Sequence, residues 1–183
     1  MNENNSLRQE VVYFCGGCFW CTEAVFDRVQ GVLDVESGYA NGHVPQPSYE
    51  QVCEGTTGHA EVLKVTFDTE QISLHTLLEI FFGTHDPTTL NRQGNDVGTQ
   101  YRSGIYTTSA EQLAAVRAFV QQLADSGECG APVVTEVAPL SQFWSAEIYH
   151  QEYFDNNPRQ PYCQYVVSPK VDKLETRFAS WLK

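Results

Sequence analysis

Glu10-Val11-Val12-Tyr13-Phe14-Cys15-Gly16-Gly17-Cys18-Phe19-Trp20-Cys21 is the stretch from which the rest of the chain can be read. Residues 10–14 are β-branched and aromatic, so they predict a strand. Gly16-Gly17 breaks it. Cys18 to Val29 then predicts a helix, with Ala24, Val25 and Val29 at helical spacing. Cys18 therefore stands where a helix begins. A thiol reacts as its thiolate, and the unpaired N–H groups and positive dipole end of a helix N-terminus favour that ionised form. The glycine pair lets the backbone turn tightly there. Phe19 and Trp20 follow, and apolar rings beside a thiol suit a pocket for a small apolar group such as a methyl. An isolated cysteine is more often a plain core residue. The glycines and the helix start point instead to a reactive one.

Working outward, Gly31 ends the helix and Val32 to Tyr39 predicts a second strand. Ala40 to Gly58 carries Asn, Gly, Pro and Ser and is expected to be a long loop. Residues 61–67 alternate, with Leu63, Val65 and Phe67 on one face and Val62, Lys64 and Thr66 on the other. Ser73 can cap a helix through Leu74, Leu77, Leu78 and Phe81. Thr84 to Thr99 is a second polar loop, and Tyr101 to Tyr106 a strand. Ser109 and Gln112 form a capping box for a helix through Leu113, Val116, Val120 and Leu123. Pro132 to Val137 predicts a late strand and Ala146 to Phe154 a late helix. Pro158, Pro161 and Pro169 interrupt the tail before a last helix over Lys170 to Leu182. This order predicts an α+β fold: a ferredoxin-like βαββαβ core with additional helices, a late strand and a long coil-rich C-terminal segment. No repeat or linker divides the 183 residues, so one domain over 1–183 is expected, with residues 1–9 frayed.

Eleven Lys and Arg face 23 Asp and Glu, a formal net charge of -12. Such a surface repels nucleic acid and anionic membranes. No apolar run approaches a bilayer span, and Met1-Asn2-Glu3-Asn4-Asn5 has no secretion-signal pattern. The expectation is a cytoplasmic protein, monomeric, with no nucleic-acid or membrane partner.

The six cysteines are Cys15, Cys18, Cys21, Cys53, Cys129 and Cys163. A chain this long does not need disulfide staples. Cys15, Cys18 and Cys21 have the spacing C-x2-C-x2-C, which could begin a zinc or iron–sulfur site. The cysteine and proline that complete an iron–sulfur run are absent: Val25 and Phe26 stand there. Zinc would need a distant fourth ligand. No bound metal or cofactor is expected. Cys18-Phe19-Trp20-Cys21 alone is a redox-type C-x-x-C with both sulfurs on one helix face. A disulfide between them is expected to strain the first turn.

Alternation puts Glu61 on the face of Leu63, Val65 and Phe67. A carboxyl at the rim of an apolar face has a raised pKa and can deliver a proton near neutral pH; a solvated first strand residue is the plain alternative. Glu23 lies roughly 140° around the helix from Cys18 and reads as a solvated or supporting residue rather than a partner. His59 reads as a satisfied loop histidine before a base, and His43, His75, His85 and His150 show no ligand spacing. Tyr39, Tyr49 and Tyr101 border the loops, where their hydroxyls could bond a polar ligand group.

Gly17-Cys18-Phe19-Trp20 resembles the signature of the A-type peptide methionine sulfoxide reductases. So do Ser37–Gly42, Pro47–Cys53, Thr57–Glu61, Gln93–Ser103 and the Ala146–Tyr153 region. Several motifs in one order, over roughly residues 10 to 170, are far more specific than any one alone. The resemblance implies reduction of methionine S-sulfoxide, free or in peptides and proteins, as repair of oxidative damage. It implies that Cys18 attacks the sulfoxide sulfur and Glu61 protonates the oxygen. Tyr49 and Tyr101, with Asp96 through water, bond that oxygen, and Phe19 and Trp20 hold the methyl. Cys18 is left as a sulfenic acid. Tyr162-Cys163 resembles the family's C-terminal position for a resolving cysteine, with Cys21 as second choice. The tail has no later recycling cysteine, so at most one exchange step precedes an external reductant, by resemblance thioredoxin. Metal-binding, dithiol-oxidoreductase and methionine-binding modules are the rival readings.

Overall fold

Strand β1 (Gln9–Gly16) sends Val12 and Phe14 to one face and Tyr13 and Cys15 to the other. It belongs to a computed structural model that describes residues 8–183, so the expected fraying of residues 1–9 lies mostly outside the described part; Gln9 is not frayed but paired with Asp68. Gly17 makes the turn that follows. Its φ is +88°, and a Cβ there would meet the Gln93 side chain at 2.7 Å, so both conformation and space demand glycine. Helix α1 (Phe19–Phe26) starts at once.

The remaining elements are β2 (Val32–Ala40), α2 (Tyr49–Cys53), β3 (Ala60–Asp68), α3 (Leu74–Thr84), β4 (Arg92–Gln93), β5 (Asp96–Val97), β6 (Ser103–Thr107), α4 (Ala110–Ser126), β7 (Glu136–Pro139), β8 (Phe143–Ser145), α5 (Tyr153–Asn156) and α6 (Ser168–Arg177). The main sheet runs β7-β6-β1-β3-β2-β8. Its central four strands pair antiparallel throughout. With α1 and α3 they form the expected ferredoxin-like βαββαβ core of an α+β fold. β7 extends one edge parallel to β6, and β8 extends the other antiparallel to β2.

The helix-facing side carries the main core. Phe14 stacks on Phe26 of α1 at 4.8 Å and on Phe81 of α3 at 4.7 Å, above Leu63, Val65 and Ile105. This packing fixes α1 on the sheet, and with it the position of Cys18. Phe14→Ala would cost about 3–5 kcal/mol. The opposite face buries Tyr13, Cys15, Val62 and Tyr106 beneath Leu140 and Phe143.

The structure departs from the expected elements in the loops and the tail. The first long loop contains α2, opened by a Ser48 capping box with Gln51. The second contains the β4–β5 hairpin and a 3-10 turn at Thr99–Tyr101. The late helix over 146–154 is instead a 3-10 turn at Ile148–His150 followed by the one-turn α5. The Gln151 side chain accepts the Ser37 N–H and donates to the Ser37 carbonyl, which ties the segment to β2. Glu152 then turns left-handed at φ 54°. Pro169 does not break the tail helix. It lies in the first turn of α6, where a missing N–H costs nothing. Residues 163–167 form a π-helical turn running directly into α6.

Candidate active site

Cys18 is the N-cap residue of α1, with extended backbone at φ -61° and ψ 130°. Its carbonyl accepts the Cys21 N–H at 3.0 Å. Its side chain makes no capping bond. That place is taken from β3. Glu61 points to the helix side, as alternation predicts, and is 1% exposed. Its Oε1 accepts the Phe19 N–H, the first of the helix, at 3.1 Å. A carboxyl and a thiol therefore share the start of one helix.

Burial pushes the Glu61 pKa up to about 8, against the hydrogen bond from Phe19; the charge of Asp96 adds to the rise. Burial also pushes the Cys18 thiol well above its ordinary range, and Glu61 adds to this; the Trp20 N–H and the Tyr162 hydroxyl oppose it. This corrects the expectation that the helix end leaves the thiol ionised. The side chains closing over Cys18 remove more hydration than the helix end replaces. At rest the site holds a neutral acid beside a neutral thiol.

Aromatic side chains surround the pair. Cys18 and Phe19 pack with Tyr39, Val52 and Ala146, and Trp20, Tyr49, Tyr101 and Tyr162 lie against this cluster. Ser48 caps α2 and so presents Tyr49 at its first position. Burial raises the pKa of Tyr49 and of Tyr101, so both keep their hydroxyl protons. Asp96 joins through Tyr162, whose hydroxyl donates to Oδ2 at 2.6 Å. Phe19 is buried, and Trp20 is half-buried, stacked on Tyr153 at 3.7 Å between centroids. All seven residues expected at the site (Cys18, Phe19, Trp20, Tyr49, Glu61, Asp96 and Tyr101) thus gather at the start of α1.

The family described as "Peptide methionine sulfoxide reductase" matches residues 10–182. The chain belongs to this family. Peptide methionine sulfoxide reductase MsrA from Deinococcus radiodurans is 54% identical over 175 residues, covering 96% of this chain and 85% of that protein. Mxr1 from Saccharomyces cerevisiae in reduced form has a TM-score of 0.78 at 38% identity, over 84% of this chain and 88% of that one. Mxr1 in complex with Trx2 matches at a TM-score of 0.56 and 26% identity, over 80% and 86%. This chain is therefore an oxidoreductase that reduces methionine sulfoxide, a peptide-methionine (S)-S-oxide reductase.

The other cysteines of the reductase divide cleanly. Cys15 is fully buried on the far face of the sheet, Cys53 is exposed and Cys129 partly so. Cys21 and Cys163 are buried in one cluster with Ala24, Val167 and Val171. Among the described residues no group of three or more His, Cys, Asp or Glu is placed to hold a metal ion. Nor is any helix there long and apolar enough to cross a membrane.

Sequence reasoning missed three residues. Tyr162 stands out in the sequence only as the neighbour of Cys163, yet it carries Asp96 to the site. His150 accepts the Trp20 indole N–H at Nδ1, 3.0 Å away, and burial lowers its pKa, so it stays neutral and able to accept. Glu147 accepts the Tyr39 hydroxyl at 2.9 Å and the Tyr49 N–H at 3.1 Å. Only the match over 146–153 pointed toward the last two. Glu23 is buried, not solvated, and accepts the Ser37 hydroxyl at 3.1 Å. His59 is a satisfied loop histidine: Nδ1 accepts the Gly42 N–H and Nε2 faces the Val44 carbonyl. A groove of about 800 Å³ lies between α3, α4 and α6, away from Cys18 and Glu61.

Proposed function

We propose that the reductase works by nucleophilic attack of Cys18 on the sulfoxide sulfur while Glu61 protonates the oxygen. The carrying observation is the Phe19 N–H to Glu61 contact, which sets a buried neutral carboxyl at the N-cap position of Cys18. A sulfoxide oxygen leaves poorly unless protonated, so a sulfur nucleophile and a proton donor must act together. As the S–S bond forms, the oxygen takes the Glu61 proton and the thiol proton replaces it on the carboxylate. The S–S bond then breaks as the hydroxyl passes from the methionine sulfur to the Cys18 sulfur, which leaves methionine and a Cys18 sulfenic acid. Tyr49 and Tyr101 donate to the oxygen, Asp96 supports it through Tyr162, and Phe19 and Trp20 form the methyl-binding wall.

The sulfenic acid is cleared by a second cysteine, for which Cys163 and Cys21 are the two candidates. An external dithiol protein of the thioredoxin class then restores the thiols; the complex of Mxr1 with Trx2 supports this reading. The substrate is the S-sulfoxide of methionine, free or in oxidised proteins, and the role is repair in the cytoplasm. No bound cofactor takes part, and one domain acts as a monomer. The test is Cys18→Ser with a methionine sulfoxide peptide. Methionine formation should vanish, and retained turnover would overturn the assignment.

A further inference from the structure

Three buried thiol groups stand in sequence along one side of α1, and the proposed reaction leaves their order open. We infer that Cys21 is the thiol that first closes on Cys18, and that the disulfide then passes to Cys163. This rests on the reading of Cys18 as the nucleophile.

Geometry separates the two candidate partners of Cys18. Cys163 is completely buried, and its cluster includes Cys21 but not Cys18. Tyr162 packs against both clusters and stands between them. Its hydroxyl lies 3.9 Å from the Cys21 sulfur and donates to Asp96 at 2.6 Å. Direct attack by Cys163 on the Cys18 sulfenic acid has to cross from one cluster to the other, past Tyr162 and its bond to Asp96. Attack by Cys21 stays within one turn of the same helix start. The two residues are i and i+3, and neighbours at that spacing lie about 5–6 Å apart at Cβ. The strain expected of such a bridge applies to two residues inside a helix. Cys18 is outside it, with extended backbone and a side chain held by no capping bond. An N-cap side chain naturally points toward the third helical residue, which here is Cys21.

Cys21 also has the better setting for a nucleophile. Lys170 of α6 lines the same small internal cavity, and its charge favours the Cys21 thiolate against the burial that opposes it. In the first step the Cys21 sulfur attacks the Cys18 sulfenic sulfur. The S–O bond breaks, and the oxygen leaves as water with the Cys21 proton. In the second step Cys163 attacks the Cys21 sulfur, and Cys18 departs and takes up the Cys163 proton. Oxidation now rests on Cys21 and Cys163, and an external dithiol reduces that bond. Cys18 is a thiol again before the reductant arrives, so each chain alone can reduce a second sulfoxide.

The test is a reductant-free time course on the full chain. A methionine sulfoxide peptide is added, aliquots are quenched with an alkylating agent, and disulfides and released methionine are measured together. In the unmodified protein a Cys18–Cys21 bridge should appear first and convert to Cys21–Cys163, with two methionines released per chain. Cys163→Ser should stop at Cys18–Cys21 with one methionine. Cys21→Ala should leave a dimedone-reactive Cys18 sulfenic acid. A Cys18–Cys163 bridge as the first species, or its formation in Cys21→Ala as fast as the unmodified protein consumes its sulfenic acid, would overturn the order. Absence of any methionine from the unmodified protein would overturn the underlying chemistry and the relay with it.

Discussion

Glu61 reaches α1 from a neighbouring strand and accepts the first N–H of the helix, whereas Glu23 leaves α1 near its middle and accepts the Ser37 hydroxyl. Both are buried, and burial is the main reason both acids are held high, Glu61 at about 8 and Glu23 at about 7. The neighbours differ. Glu61 has the Cys18 thiol and a ring of tyrosines; Glu23 has Ser37 and the backbone of Glu152. Burial alone makes a neutral acid. A sulfur within its reach makes it a proton donor for a reaction. Glu23 instead helps Gln151 hold the 146–152 segment, with Glu147 and His150, against β2.

Substitutions can break this contrast. Glu61→Gln keeps the shape and removes the proton. The sulfoxide step should slow by about 10²–10⁴, while Cys18 remains open to alkylation. An unchanged single-turnover rate would erase the distinction between the two acids. Tyr162→Phe removes the link between Asp96 and the site, and loss of one such hydrogen bond should slow the same step by about tenfold. Glu23→Gln should leave the rate of methionine release within about twofold and act on stability instead. Glu23 has its folded pKa above the ordinary value of 4.5, so its contribution is full below about 4.5 and is lost as pH rises through about 7. The loss should reach about 3 kcal/mol in urea unfolding. In Glu23→Gln that share of the decline should disappear, leaving the share that Glu61 contributes through its own raised pKa. A variant that lost activity and kept the whole decline would reverse the roles.

The central fold and the heart of the site were legible because they rest on local rules. One-residue parity along β3 put Glu61 on the apolar face, although only the family resemblance made it the acid, and the Gly16-Gly17 pair located the start of the helix. What was not legible depends on distant parts of the chain. Residues 146–154 carry a helical pattern, but Gln151 finds its partners on Ser37, more than a hundred residues away. The tie from Tyr162 to Asp96 crosses 66 positions and leaves no spacing signal. The height of the thiol pKa is not legible, because a helix start is visible in sequence while the loops and tail that bury it are not. The short α2 did announce itself, through Ser48 and Gln51, but within a stretch whose Pro and Gly content read as loop.

The pH dependence of one turnover tests the acid–thiol pair most directly. Methionine release from a sulfoxide peptide, measured in the unmodified protein and in Glu61→Gln, should give two different profiles. The unmodified rate should fall as pH rises through about 8, where Glu61 loses its proton, and the slower variant should lack that fall. A rate that climbs through the same range, or a fall of the same midpoint in both proteins, would contradict Glu61 as the proton donor.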